Sequence, residues 1–227
     1  MGKEKTVGIL GGMGPYAALE FFKEILFRTP AKKDWEHIRL IIDNNVKIPS
    51  RTRAILYNEQ SPAPSIIESI NNLASIGADL VAVPCNSAHY FYNEVIPHIS
   101  IPWINIIEVT ADKIKELRLK KPLIIGGYVT TTQKLYDVHI ENPVYLKRKE
   151  NEFIEAIIEE IKLNVKLSSN SRQKLLKVLK DQSPLYDSIL LACTEFSLIA
   201  KDLKSLDSPI IDSTSEYAEK IVKLAKN

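Results

Sequence analysis

The amino-acid sequence predicts an α/β fold of mostly parallel strands, arranged in two halves. Short apolar runs alternate with helical patterns, as they do in βαβ units. Within "DLVAVPC" (79–85), the residues from Leu80 to Val83 are continuously apolar, as expected for a parallel strand buried on both faces. Each half of the chain contains one strand that ends in a cysteine, at Cys85 and at Cys193.

The individual elements follow from local patterns. "TVGILGG" (6–12) is a strand that runs into glycines, and Pro15 suits the first turn of the next helix, with Leu19, Phe22 and Leu26 on one face. Seven further strands are predicted at "IRLIIDN" (38–44), "DLVAVPC" (79–85), "PWINI" (102–106), "PLIIGG" (122–127), "PVYL" (143–146), "SILLAC" (188–193) and "SPIID" (208–212). Helices are predicted around 66–74, in two pieces within 152–180 that break near 168–170, and from residue 215 onward.

Two domains are predicted from this order of elements. Residues 1–112 form the first α/β domain, and the C-terminal strand and helix (209–227) return to close it. Residues 113–208 form the second domain. In open parallel sheets, functional residues gather at the carboxyl ends of the strands, and both thiols lie at such ends.

Composition excludes several classes of protein. The 227 residues are 45% hydrophobic and 26% charged, with a net charge of +2, so neither nucleic acid nor an anionic membrane is an expected partner. No apolar run approaches the roughly 20 residues of a membrane span, and the N-terminus lacks a signal peptide's apolar region. A cytoplasmic protein is therefore expected, with its thiols reduced.

The two thiols allow several interpretations. A disulfide, a pair of buried structural cysteines, and a metal site of Cys85 and His89 completed by Cys193 or Glu195 are three of them. A nucleophilic Cys85 with His89 as its base is a fourth, although it leaves Cys193 without a role. The interpretation that uses both thiols alike places each at a helix N-terminus, which lowers its pKa toward neutrality. One thiolate then removes a proton from a substrate carbon while the opposite thiol delivers one.

The glycine loop has two interpretations. Gly12 to Ala17 fit the pattern G-x-G-x-x-A after a strand, which is typical of dinucleotide binding. The acidic residue that should follow, Asp43, lies near 30 residues on instead of about 20. The alternative is that the glycine amides approach a small anionic ligand closely.

Five motifs, in order along nearly the whole chain, resemble the aspartate/glutamate racemase family, and its aspartate racemase branch most closely. They are "GILGGMGP" (8–15), "IPSRT" (48–52), "PCNSAH" (84–89), "ACTE" (192–195) and "PIID" (209–212). The resemblance implies two pseudo-symmetric, Rossmann-like α/β domains with the active site in the cleft between them. It also implies a homodimer that needs no cofactor, neither pyridoxal phosphate nor metal.

The same resemblance implies roles for particular residues. Cys85 would act on the D-enantiomer of a small dicarboxylic amino acid and Cys193 on the L-enantiomer. Arg51 would pair with the side-chain carboxylate, helped by a lysine of the long helix, Lys162 in preference to Lys166. The remaining substrate-binding residues would be Met13, Thr52, Asn86, Ser87, Thr130 and Thr194, several of them through backbone amides.

Departures from the family pattern leave the substrate open. Ser50 and Ala18 stand where the family usually has Asp and Thr, and its Thr-Gly-Thr loop reads Tyr128-Val129-Thr130. Ser87 replaces a commoner threonine. The function predicted is interconversion of L- and D-aspartate or glutamate. The alternatives are a related hydantoin racemase, maleate isomerase or decarboxylase, a dehydrogenase, and a non-catalytic dicarboxylate-binding protein.

Overall fold

The computed structural model describes residues 4–227, so the first three residues of the predicted first domain lie outside it. Eight strands form within the described residues, one in each predicted run. Their bounds are β1 Val7–Gly11, β2 Leu40–Asn44, β3 Leu80–Ala82, β4 Trp103–Ile104, β5 Pro122–Ile125, β6 Val144–Tyr145, β7 Ser188–Leu191 and β8 Ile210–Asp212.

Two parallel sheets with the same topology make up the fold. The first sheet has the order β2-β1-β3-β4 and the second the order β6-β5-β7-β8. Adding four to each strand number of the first sheet gives the second, so β3 and β7 occupy equivalent positions. The predicted pseudo-symmetric α/β fold is confirmed.

The helices connect and cover these strands. Their bounds are α1 Pro15–Arg28, α2 Arg51–Tyr57, α3 Ala63–Ser75, α4 Tyr92–Val95, α5 Ile106–Glu116, α6 Tyr128–Thr132, α7 Arg148–Asn164, α8 Ser169–Asp181 and α9 Ser213–Lys226. The predicted break in the long helical segment is present, because Val165 takes a left-handed conformation that ends α7. Ser168 then caps α8 by accepting the backbone N–H of Ser171.

The face of α1 that carries Leu19, Phe22 and Leu26 is not the buried face of the helix. Leu19 is 55% exposed, and Phe22 and Leu26 are only half-buried. Phe21 is fully buried instead and stacks on Tyr217 of α9. The apolar residues of α1 form two neighbouring stripes, one with Leu19, Phe22 and Leu26 and one with Phe21. Packing against α9 determines that the stripe with Phe21 is buried.

Apolar side chains form three cores separated by the two sheets. The middle core lies between the sheets and takes residues from both of them and from α1, α5 and α9. The two outer cores each cover the far side of one sheet. Along β7, Leu190 faces the middle core while Ile189 and Leu191 face an outer one, which is why the strand reads as continuously apolar.

The C-terminal segment divides between the two halves, which corrects one prediction. We expected both the last strand and the last helix to return to the first domain. Strand β8 pairs with β7 in the second sheet instead. Helix α9 does return and packs chiefly on α1 and α5. Side chains of both sheets meet in the middle core, so the helix can cross while its strand stays with β7.

Candidate active site

The two cysteines occupy equivalent backbone positions. Cys85 follows β3 with φ −156° and ψ 106°, and Cys193 follows β7 with φ −141° and ψ 125°. Each residue begins a 3₁₀ helix, Asn86–Phe91 and Thr194–Leu203 respectively. Both are free thiols, which removes the disulfide alternative. Their twin settings in the sequence therefore correspond to twin settings in the fold.

Hydrogen bonds between the two halves hold the thiol-bearing loops together. The hydroxyl of Thr194 donates to the backbone carbonyl of Pro84 at 3.1 Å. Asn86 donates to Ser213 Oγ at 3.1 Å and accepts from Tyr136 Oη at 2.6 Å. Ser213 in turn donates to the carbonyl of Leu191 at the end of β7. The side-chain amide of Asn86 is thus engaged in hydrogen bonds that join the two halves.

One cavity of about 100 Å³ lies between the loops, and both thiols line it. All ten residues predicted for the site line this cavity: Met13, Arg51, Thr52, Cys85, Asn86, Ser87, Thr130, Lys162, Cys193 and Thr194. Lys162 lines the cavity and Lys166 does not, so the structure distinguishes the two candidate lysines. The roles of these residues remain predictions.

Two glycines allow the close approaches that shape the cavity. Gly12 has φ +90°, and a Cβ there would lie 2.3 Å from the backbone of Asn45, so only glycine fits between β1 and Met13. A Cβ on Gly126 would lie 2.7 Å from the carbonyl oxygen of Ala192. This second contact brings the end of β5 against the residue that precedes Cys193.

Arg51 has a guanidinium group that donates to backbone carbonyls and forms no ion pair with residues 4–227. Its Nη1 donates to the carbonyl of Pro49 at 2.9 Å and its Nη2 to the carbonyl of Met13 at 3.3 Å. Its Nε is buried without a partner. Carbonyl groups orient the guanidinium without neutralising it, so a carboxylate in the cavity would complete the arrangement.

Lys162 provides a second cation from α7. Its ammonium donates to Glu159 at 2.8 Å. Burial lowers the pKa of Lys162, but its hydrogen bond to Glu159 and the nearby charge of Glu195 raise it by more. The lysine therefore stays positively charged in the cavity.

Cys193 is not the low-pKa thiol that its helix N-terminus predicted. Its Sγ donates a hydrogen bond to Glu195 Oε2 at 2.9 Å. Burial raises the pKa of Cys193 well above the ordinary thiol value, and the charge and hydrogen bond of Glu195 raise it further. Cys193 is therefore protonated in the free protein, because these effects exceed the opposing charge of Lys162.

His89 has a structural role. This argues against a metal site at Cys85 and His89 and against a nucleophilic Cys85 with His89 as its base. Its Nδ1 bonds to the carbonyl oxygen of Cys85 at 2.9 Å, and its Nε2 accepts the N–H of Ile106 at 3.2 Å. Burial lowers the pKa of His89 to about 4. With both nitrogens bonded to the backbone, the ring is available neither as a base for the Cys85 thiol nor as a metal ligand. Among residues 4–227, no group of three or more His, Cys, Asp and Glu side chains is placed to hold a metal.

The glycine loop also packs differently from a dinucleotide site. A Cβ placed on Gly14 would lie 3.0 Å from Glu195 Oε1, so this carboxyl group lies directly against the loop. A pyrophosphate brought to the same amides would meet a negative group. This arrangement disfavours the nucleotide interpretation.

Two carboxyl groups in the cavity were not predicted as substrate-binding residues, and Glu195 was considered only as a possible metal ligand. Glu195 lies in the "ACTE" motif, two residues after Cys193. Its place in this motif could have indicated that it lines the cavity. Glu155 lies on α7 seven residues before Lys162, a spacing that places both on one face of the helix. Helical spacing from Lys162 was the only signal for Glu155.

Comparisons with known proteins show which family the chain resembles in sequence and fold. The family model described as Asp/Glu/Hydantoin racemase matches residues 10–221. A broad-specificity amino-acid racemase, RacX of Bacillus subtilis, is 27% identical over 95% of this chain and 96% of its own. The solved Picrophilus torridus aspartate racemase is 30% identical, with a TM-score of 0.87 over 98% of this chain and 94% of its own. An aspartate racemase homologue from Pyrococcus horikoshii shares the fold, with 23% identity and a TM-score of 0.77 over 98% of this chain and 100% of its own.

The fold and the site define a two-sheet α/β protein whose cavity is lined by a pair of equivalent thiols. The chain belongs to the Asp/Glu/hydantoin racemase family. The resemblance carried by the five motifs is confirmed, and the predicted enzyme class, a racemase, is confirmed at that level. Within the described part of the chain, no helix is both long and apolar enough to span a bilayer.

Proposed function

We propose that this protein is an amino-acid racemase that interconverts L- and D-aspartate by proton transfer between two thiols, without a cofactor. The observation that carries the proposal is the placement of Cys85 and Cys193 at equivalent strand ends around one cavity. A racemase needs an acid and a base on opposite sides of the α-carbon, and a pseudo-symmetric fold can supply both groups from matching positions.

Each direction of the reaction consists of two proton transfers, one from the α-carbon and one to it. From D-aspartate, the thiolate of Cys85 takes the α-hydrogen as a proton, and the electron pair of the C–H bond remains on the α-carbon and its carboxylate. The thiol of Cys193 then gives its proton to the opposite face, which leaves a Cys193 thiolate and L-aspartate. The protonated Cys193 of the free protein is the form that this direction requires. The assignment of Cys85 to the D-enantiomer rests on the family resemblance.

A dicarboxylic substrate is supported by the cations of the cavity. Arg51 has two backbone partners and a buried Nε without one, and Lys162 lines the same cavity. Arginine binds carboxylates through two parallel hydrogen bonds, and a substrate with two carboxylates uses both cations. The 30% identical relative from Picrophilus torridus, an aspartate racemase, supports the same choice.

The proposal is tested by hydrogen exchange. Protein purified with EDTA and without pyridoxal phosphate should, in D₂O, replace the α-hydrogen of L-aspartate by deuterium and form D-aspartate, followed by NMR and chiral chromatography. Activity that disappears on chelation and returns with zinc would contradict a reaction carried by thiols alone. Retention of the α-hydrogen for every amino acid of a broad panel would contradict the racemase.

Glu195 is expected to set the pH at which Cys193 ionises. In a Cys85→Ser background, Glu195→Gln removes a neighbouring negative charge, so the pKa of Cys193 should fall. A thiol stays protonated below its pKa, so alkylation of Cys193 by iodoacetamide should begin at lower pH in the Gln variant. Mass spectrometry of the modified protein follows the reaction.

The matched control for Glu195 is the Cys193→Ser background, in which only Cys85 can be alkylated. There the Glu195→Gln change should leave the pH profile where it was. A profile of Cys193 that does not move would mean that burial alone holds its proton.

We also propose a homodimer, formed through an apolar patch on the first half. Tyr16 and Leu19 of α1 and Ile42 of the edge strand β2 are 47%, 55% and 45% exposed, and they line one surface groove. Light scattering should give the mass of two chains, and Leu19→Glu should give one, because a charge would be buried at the interface. A wild-type monomer would contradict this proposal.

A cytoplasmic location is the last part of the proposal. Both cysteines are unpaired, and a reducing compartment keeps thiols in that state. Cell fractionation followed by immunoblotting should recover the protein with cytoplasmic markers, and its recovery with an extracytoplasmic fraction would contradict this location.

A further inference from the structure

Glu155 is a carboxyl group in the cavity for which the proposed proton transfer has no use. It lies on α7 three residues before Ile158 and seven before Lys162, and all three side chains line the cavity. Its Oε1 is buried and has no hydrogen-bond partner among residues 4–227. The same oxygen lies 3.9 Å from the position that a Cβ on Gly127 would take, beside the loop where the sequence departs from the family pattern.

A buried oxygen without a partner needs a physical explanation, because nearly all buried polar atoms in proteins are hydrogen-bonded. Burial raises the pKa of Glu155 to about 7, while Lys162 lowers it and Glu159 and Glu195 raise it. The charge of Lys162 therefore offsets only part of the effect of burial on this carboxyl group. A donor brought by the substrate would satisfy it.

A second acceptor without a partner lies one turn earlier on the same face of α7. Asn151 donates through Nδ2 to the carbonyl of Leu146 at 3.4 Å, while its Oδ1 is buried without a partner. Residues four apart lie above one another on a helix, so Asn151 continues the row of Glu155 away from Lys162. Asn151 does not line the cavity, whereas Glu155 and Lys162 do, so on α7 the cavity meets an ammonium group and, seven residues earlier, a carboxyl group.

The formal charges of the cavity also indicate a site that is not restricted to dicarboxylates. Arg51 and Lys162 supply two positive charges, and the carboxyl groups of Glu155 and Glu195 offset them when ionised. A site built only for dicarboxylates gains nothing from Glu155, since its carboxylate repels that of the substrate.

We propose that Glu155 is a specificity-determining residue that accepts a hydrogen bond from the end of the substrate's side chain. The cavity then takes short amino acids whose side chain ends in an ammonium or another hydrogen-bond donor, in addition to dicarboxylates. This inference rests on the proposed racemase function and extends its substrate class.

The test compares L-aspartate with L-2,4-diaminobutyrate, whose side chain has the same reach and ends in an ammonium group. Wild-type protein should exchange the α-hydrogen of both in D₂O. Glu155→Gln should lower kcat/KM for diaminobutyrate at least tenfold and leave that for aspartate within about threefold. The matched control is Glu152→Gln, which removes an exposed carboxylate from the same helix outside the cavity and should change neither substrate.

The pH dependence gives a second readout of the same residue. The charges that act on Glu155 are those of Lys162, Glu159 and Glu195. The other charged or titratable groups that line the same cavity are Arg51, Cys85, Tyr128 and Cys193. Thiol ionisation affects both substrates, so the ratio of kcat/KM for diaminobutyrate to that for aspartate isolates the carboxyl group. This ratio should rise between pH 6 and pH 8 as Glu155 loses its proton, and the rise should be absent in Glu155→Gln.

The outcomes separate this inference from the proposed function. Exchange of aspartate without exchange of diaminobutyrate overturns the inference and leaves the racemase standing. Equal losses of kcat/KM for both substrates in Glu155→Gln also overturn the inference. Glu155 would then act on the α-amino or α-carboxylate group, which both substrates have, and not on the end of the side chain. If neither substrate exchanges, the racemase proposal fails. Titration calorimetry then tests the inference. Diaminobutyrate should bind the wild-type protein with a Kd at least tenfold lower than its Kd for the Glu155→Gln variant, and equal Kd values would overturn the inference.

Discussion

Replacing Cys85 by serine is expected to lower the rate of aspartate racemisation by about 10²–10⁴-fold. The variant should still exchange the α-hydrogen of one enantiomer with solvent. Cys193 still faces the α-carbon of L-aspartate in this variant. Its thiolate, which is favoured as the pH approaches the raised pKa of Cys193, can take the α-hydrogen, exchange the proton with solvent and return it to the same face. In D₂O the variant should therefore deuterate L-aspartate without inversion and leave D-aspartate nearly unchanged, as NMR combined with chiral chromatography would measure.

The reason is that both enantiomers share one carbanion, and only proton delivery to the far face is lost. A serine hydroxyl keeps the shape of the side chain but is too weak an acid to replace the thiol at neutral pH. Cys193→Ser should show the opposite preference, and the double variant should exchange neither enantiomer. Reversed preferences would overturn only the assignment of each cysteine to one enantiomer. A single variant that racemises at nearly the wild-type rate would remove its cysteine from the mechanism.

Replacing Arg51 by alanine is expected to lower kcat/KM for aspartate strongly, by on the order of 2–5 kcal/mol, or about 30-fold to several thousand-fold. The guanidinium is oriented by the carbonyls of Met13 and Pro49, and no carboxylate of the described chain lies within ion-pair distance of it. Its loss would leave the substrate's carboxylate buried and unpaired. Exchange of L-alanine, which lacks that carboxylate, should change little.

The matched control for Arg51 is Arg53, which lies on the same helix. Arg53 points toward Glu59, bonds to it at 2.7 Å through Nε and is exposed, so Arg53→Ala should leave both substrates unaffected. Arg51→Lys keeps the charge but loses the two-pronged geometry and should fall between the wild type and the alanine variant. Equal losses for aspartate and alanine in Arg51→Ala would mean that Arg51 stabilises the fold and does not bind the side chain.

Several features of the site could be predicted because they are local. The glycine loop, the two cysteine motifs and Arg51 each lie in a short stretch at the end of a strand or the start of a helix. Parallel strands bring such ends to one edge of a sheet, which predicts that the thiols lie near the glycine loop. The substrate-binding residues, Lys162 of α7 among them, were predicted from the family resemblance, and all ten predicted residues line one cavity. Glu155 was missed because a glutamate on a helix is usually solvated, and only the packing of α7 against the cavity distinguishes it from Glu152 or Glu159.

The sequence by itself determined the eight strands, the break between α7 and α8, and the position of each thiol after a buried strand. These features depend on runs of neighbouring residues, whose periodicity and turn residues act over a few positions. Tertiary structure decided the pairing of β8 with β7, the buried stripe of α1 and the raised pKa of Cys193. These three depend on contacts between surfaces that only the folded chain brings together, and on how deeply a group is removed from water. Burial beside Glu195 outweighed the helix N-terminus at Cys193, because removal from water and a neighbouring negative charge both disfavour a thiolate.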